Sequence, residues 1–154
     1  MAEYLTRDAV EIVALNTAIP FIDSIPCRKG YIFHQNGTGI IVLRGIVNNP
    51  CAEAARYEVE FNGNIAIPTG GTITPIATAI VVAGAQRTGS RSIYTPTVVD
   101  AYGHATSRAV IDVPRGCCFN VSVEYVNGAV NDPTAVPTPF INIIDGIVDV
   151  KRTA

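Results

Sequence analysis

The feature that most constrains this chain is a run of period-two alternation closed by a turn dipeptide. In Arg56-Tyr57-Glu58-Val59-Glu60-Phe61, the side chains of Tyr57, Val59 and Phe61 fall on one face and those of Arg56, Glu58 and Glu60 on the other. Successive strand residues point to opposite faces, so this pattern predicts an antiparallel strand with one face buried and one wet. Asn62-Gly63 follows, and Asn-Gly is a strong hairpin signal. The same grammar recurs along the chain. Strands are expected over Tyr31–Gln35, Gly39–Val47, Asn64–Pro68, Ile73–Ala83, Arg91–Thr95, Thr106–Val113, Phe119–Tyr125 and Phe140–Lys151. Turns are expected at Asn36-Gly37, Asn62-Gly63, Thr69-Gly70-Gly71 and Asn127-Gly128, with a proline-rich loop over Asn131–Pro139. Eight or nine short strands at even spacing predict an all-β sandwich or barrel. No stretch long enough for a crossover helix lies between them, which argues against a parallel α/β sheet.

The N-terminal stretch reads differently. Leu5, Ala9, Val10 and Val13 have near-helical spacing, and Pro20 and Pro26 punctuate an extended segment. The expected organisation is an arm over residues 1–29, with a short helix in it, and a jelly-roll domain over residues 30–154.

Composition adds a second constraint. Of 154 residues, 48% are hydrophobic and 16% charged, against about 25% charged in ordinary soluble domains. The mean hydropathy is +0.30. No apolar run approaches the ~18 residues of a membrane-spanning helix, and Thr78 interrupts the longest, Ile76–Ala85. The expected outlet for the excess apolar surface is self-association, without a membrane partner. Eleven Lys and Arg against thirteen Asp and Glu give a net charge of −2. Arg87, Arg91 and Arg108 form no basic stripe of the kind nucleic acid needs, and read as a solvated strand surface. The N-terminus has no basic region followed by an apolar core, so a secretory signal is not expected.

Catalytic signatures are sparse. His34 and His104 lie 70 positions apart and outside any motif, and read as surface or hydrogen-bonding residues. The four cysteines (Cys27, Cys51, Cys117, Cys118) match no zinc spacing. They are expected to be reduced thiols, although a Cys27–Cys51 disulfide stays open. Cys117-Cys118 reads as buried strand packing. Asp145 and Asp149 would share a strand face and could hold a cation between subunits, but without a Gly-bounded loop the solvated-face reading is preferred. Gly70-Gly71 precedes a strand rather than a helix, so no phosphate loop is expected. The sequence therefore assigns no catalytic, cofactor or metal residue, and no enzymatic activity.

Several segments carry a resemblance: Ala18-Ile19-Pro20-Phe21, Val42-Leu43-Arg44-Gly45, Arg56 through Gly71, and Val113-Pro114-Arg115-Gly116-Cys117-Cys118. Together they resemble small proteins carried by phages and prophages of gut Firmicutes. More remotely they resemble the C-terminal domains of bacterial collagen-like surface proteins, such as the spore exosporium glycoprotein. The resemblance implies a C1q/tumour-necrosis-factor (C1q/TNF) jelly roll that forms homotrimers. A Gly-X-Y stalk, present in the exosporium type, is missing here. The implied function is a non-enzymatic virion structural protein, a homotrimeric capsid decoration or head-fibre protein. It would be assembled in the host cytoplasm, with its arm docked on the major capsid protein. The alternative is a receptor- or glycan-binding module of a phage fibre or spore surface, with Tyr94 or Tyr102 exposed in loops distal to the arm. Tyr57, Phe61, Phe119 and Tyr125 are candidates for the domain core or the threefold axis, with the core preferred.

Overall fold

The computed structural model describes residues 1–7, 9–25, 30–46, 51–132 and 134–153. They form strands β1 (Ala2–Leu5), β2 (Glu11–Ala14), β3 (Asp23–Ile25), β4 (Ile32–His34), β5 (Ile41–Arg44) and β6 (Ala54–Ala66). These are followed by β7 (Ile76–Val82), β8 (Ala85–Gln86), β9 (Ser92–Tyr94), β10 (Gly103–Pro114), β11 (Cys118–Asn127) and β12 (Phe140–Arg152). Two antiparallel sheets result. The first runs β10-β6-β12-β1-β3, with β2 also on β12; the second runs β4-β5-β11-β7-β8, with β9 also on β7. The long central pairings, β10-β6, β6-β12 and β12-β1 in the first sheet and β5-β11 and β11-β7 in the second, join strands distant in sequence, as in a jelly roll. Among the described residues no helix is long and apolar enough to cross a membrane.

The alternation read from Arg56–Phe61 sets the core. Tyr57, Val59 and Phe61 are fully buried, and Ile111, Val113, Val148 and Val150 join them from β10 and β12. Ile41, Leu43, Ile76, Ile80, Val121, Val123 and Tyr125 face them from the second sheet, and all belong to one hydrophobic cluster. Full burial of each large apolar side chain contributes about 1.5–3 kcal/mol. The expectation of core positions for Tyr57, Phe61 and Tyr125 is met, while Phe119 is only partly buried against the cluster. The strand expected over Ile73–Ala83 becomes the shorter β7, buried at Ile76 through Val81. Two hydroxyls tie the sheets together in this dry interior: Thr78 Oγ1 and Ser107 Oγ lie 2.9 Å apart.

Three expectations are corrected. First, Asn62-Gly63 does not turn. Asn62, Gly63 and Asn64 pair continuously with Thr106, Ala105 and His104 of β10, so one thirteen-residue strand replaces two short ones. Pairing on both edges overrides the local turn preference, and β12 absorbs the irregularity instead. Its register slips between Ile144 and Ile147, forming a bulge in which Asp145 takes φ +55°. Gly63 is needed there, because a Cβ would sit 2.8 Å from Phe61 Cζ and 3.3 Å from Gly146 Cα.

Second, residues 1–29 hold no helix where they are described. Ala2–Leu5 pairs with β12 and β3, and Glu11–Ala14 pairs with the other half of β12. The near-helical spacing arose from two short strands separated by a bend, which the Arg7 guanidinium closes on Val10 O at 2.6 Å and on Glu11 at 3.1 Å.

Third, Cys117 and Cys118 are exposed rather than packed. Cys117 closes a turn by donating its N–H to Pro114 O at 3.1 Å, so strand alternation does not begin until Cys118. The other expected turns form. Gly37 and Gly70 have φ +87° and +88°, and Ala129 N–H donates to Asn127 Oδ1 at 2.9 Å.

Candidate functional site

The outer face of the first sheet is built by residues whose strand neighbours point into the core. On β12 these are Phe140, Asn142 and Ile144, then, beyond the bulge, Ile147, Asp149 and Lys151. The face divides into two chemistries. Toward the chain termini it is charged. Arg56 grips Asp112 through two bonds of 2.8 and 3.0 Å, and Arg108 pairs with Glu58 at 2.9 Å. Arg56 and Asp112 therefore hold each other's charged forms, Asp112 below and Arg56 above the ordinary range. Between these pairs and the sheet edge, Asp149 is flanked in register by Glu3 on β1 and Glu60 on β6. Partial burial, then the hydrogen bond and charge of Glu3, then the charge of Glu60, push the Asp149 carboxyl above the ordinary range.

At the other end the face is apolar and amidic. Ile12 is 60% exposed and Phe140 47%. Asn142 lies opposite Ile12 on one side and Ala66 on the other. Asn142 is only 9% exposed, and its Oδ1 is buried with no hydrogen-bond partner.

Asp145 and Asp149 do not share a strand face as expected, because Asp145 sits in the bulge, outside the paired register. The partners of Asp149 are Glu3 and Glu60, which no spacing in the sequence could reveal because they arrive on two other strands. Among the described residues no group of three or more His, Cys, Asp or Glu is arranged to hold a metal ion. The expected Cys27–Cys51 question lies outside the described residues at Cys27.

The two histidines stand on different sheets. His34 of β4 stacks on Tyr4 with ring centroids 4.5 Å apart and meets Thr38 O through Nε2 at 2.7 Å. Since a carbonyl only accepts, Nε2 carries a proton, and Nδ1 is buried without a hydrogen-bond partner. His104 of β10 bonds Thr106 Oγ1 at 2.9 Å. Arg87, Arg91 and Arg108 are all exposed, as expected for a solvated strand surface.

The loops opposite the termini form the second candidate surface. The register fixes their position: Ala2 pairs with Val150, whereas Ile65 pairs with both Gly103 and Ile143, far along β12 from the termini. Tyr102 is 40% exposed there. Tyr94 is half-buried, its hydroxyl donating to Ala101 O at 3.2 Å, and its ring lies where a Cβ on Gly103 would fall. Of the two expected exposed aromatics, Tyr102 fits and Tyr94 is a packing residue. A cleft of ≈ 300 Å³ takes in Ile93 and Thr95, the sequence neighbours of Tyr94, together with Pro75, Val130, Asp132 and Ala135 among others. Thr134 donates to Asp132 through its backbone N–H and its hydroxyl at 3.0 and 2.7 Å, which holds that carboxyl below its ordinary range.

No protein-family model matches the chain, and no curated protein matches it in sequence, so the likeness to phage proteins rests on motifs alone. Solved structures do match. The globular domain of zebrafish complement 1qA shares 11% identity at a TM-score of 0.60, over 99% of this chain and 98% of that one. Murine APRIL at pH 5.0 shares 13% at a TM-score of 0.53, over 96% and 97%. The same protein at pH 8.0 gives a TM-score of 0.51 at the same identity and coverage. Two six-stranded antiparallel sheets, superimposable along their whole length on these domains, make this chain a C1q/TNF-like jelly roll.

Proposed function

We propose that the chain is a non-enzymatic recognition module that works as a homotrimer. The outer face of the sheet β10-β6-β12-β1-β3 would meet the neighbouring copies, and the loops around Tyr102 would meet a receptor or a surface glycan. Asn142 carries the self-association half. A buried acceptor left without a donor costs about 1–3 kcal/mol. This one lies among Ile12, Phe140 and Ile144, apolar side chains of the kind that interfaces collect. A donor from a second copy would satisfy it while the patch is dried. The recognition half rests on the exposed Tyr102 and on the cleft that takes in Ile93 and Thr95.

Native mass measurement tests the assembly. The expected result is a trimer at micromolar concentration that dissociates on Asn142→Asp or Phe140→Glu. A 16.3 kDa monomer under those conditions overturns it. A glycan array tests recognition: the expected hits weaken in Tyr102→Ala, and an array without hits removes the glycan reading.

The motif resemblance supports a second placement of the same trimer, as a decoration or head-fibre protein on a phage major capsid protein. Cosedimentation with capsids is its test. Residues 2–5, 11–14 and 23–25 are already held in strands, so docking through residues 1–29 would have to use sheet edges or loops rather than a free arm.

A further inference from the structure

Cys117 and Cys118 are both exposed, which is unusual for a residue that is among the most buried in proteins. The backbone that presents them is fixed on three sides. Cys117 O accepts from Gly45 N at 2.9 Å, Gly116 N donates to Ile46 O at 3.3 Å, and Cys118 pairs with Arg44 in the β5–β11 ladder. Arg44 is exposed beside Cys118. Arg115, two residues before Cys117, has its guanidinium held on Ala52 O at 2.6 Å. Two arginines thus flank the dithiol along the backbone, Arg44 across the ladder from Cys118 and Arg115 two residues before Cys117.

Adjacent thiols have an obvious fate, a disulfide to each other, and the geometry opposes it. Consecutive Cα atoms are at most about 3.8 Å apart, short of the ~4.4–6.8 Å that disulfides span. Closing the ring would also pull Cys118 out of its strand pairing. A thiol that cannot be captured by its neighbour remains available to an external disulfide.

We propose that Cys117-Cys118 is a modification site for a small anionic disulfide. One cysteine, as its thiolate, attacks a sulfur of the incoming disulfide. A new S–S bond forms to the protein, the old S–S bond breaks, and the departing thiolate takes up the proton the cysteine released. No separate oxidant is consumed. Attack by the second cysteine on the mixed disulfide would have to form the strained vicinal ring, so the adduct persists. Arg44 and Arg115 raise the local concentration of a disulfide that carries carboxylates.

The folded full chain, incubated with oxidised glutathione, tests this by intact mass and peptide mapping. The expected result is a glutathionyl adduct on the peptide containing Cys117 and Cys118. The adduct should be removed by dithiothreitol and absent from C117S/C118S, whose melting temperature should match the parent's. The rate should fall several-fold with added salt, as screening weakens the attraction. A peptide two hydrogens lighter and without an adduct would overturn the site, as would modification only after denaturation. A rate independent of salt would overturn the preference for an anion.

Discussion

Thr6 and Gly146 are bonded to each other twice: Thr6 N–H donates to Gly146 O at 2.9 Å, and Gly146 N–H donates to Thr6 Oγ1 at 3.0 Å. The pair clamps the β12 bulge from β1's end, 140 residues away in sequence. Thr6→Val keeps the side-chain shape but strands a buried N–H. The expected cost is about 1–3 kcal/mol, or a melting temperature lower by ~2–4 °C per kcal/mol for a chain of this size. Thr6→Ser should recover most of the loss, and a Thr6→Val melt matching the parent's would remove the clamp from the account.

Thr78 and Ser107 join the two sheets through their hydroxyls, and Ser107 Oγ also donates to Thr78 O at 3.2 Å. A double-mutant cycle with Thr78→Val and Ser107→Ala should show strong coupling. Each single change is expected to cost about 1–2 kcal/mol by leaving a buried partner unsatisfied. The pair together should cost less than the sum, because the second change removes the orphan. Additive losses in urea unfolding would contradict this.

Asp149 lies between Glu3 and Glu60, and its carboxyl is pushed above the ordinary range. A raised acid favours the protonated form in the folded state. Its contribution to stability is therefore full below the unfolded pKa of about 3.9 and is lost as pH rises through the folded value. Asp149→Asn should stabilise the fold at neutral pH, on the ~0.2–1 kcal/mol scale of a like-charge cross-strand pair. That advantage should shrink toward zero at acidic pH. Melts of variant and parent across that range decide it, and an advantage that persists in acid would locate the gain elsewhere.

Tyr125 is fully buried, and its hydroxyl donates to Thr138 O at 2.6 Å. Burial pushes its pKa up to about 12. The folded state thus favours the neutral phenol, a contribution present below pH ~10 and lost as pH rises through the folded value. Ultraviolet titration should show a phenolate that forms only above pH ~11 or with unfolding, and Tyr125→Phe should remove that late step. A single titration of all six tyrosines centred at pH ~10 would count against it.

The parts of the fold legible in the sequence are those where one strand carries its own pattern. Arg56–Phe61 announces a strand with Tyr57, Val59 and Phe61 inward, Ile73–Ala83 announces an apolar strand that forms over Ile76–Val82, and Gly37 and Gly70 turn as their dipeptides require. The errors fall where a partner strand decides. Asn62-Gly63 is locally a turn, but pairing with β10 and β12 makes it straight and moves the irregularity to Asp145-Gly146. The spacing of Leu5, Ala9, Val10 and Val13 is locally a helix, but β12 offers both its halves as templates for β1 and β2.

The candidate surfaces follow the same division. By its own alternation and turn chemistry, the sequence determined that this chain makes an all-β antiparallel domain, a sandwich or a barrel, with few charges for its surface. Only the tertiary structure decided that Asp149 meets Glu3 and Glu60, that Asn142 is buried without a donor, and that Cys117 and Cys118 face solvent. Those facts depend on strand order and register, which are set by contacts between segments up to 148 residues apart, and no local pattern encodes them.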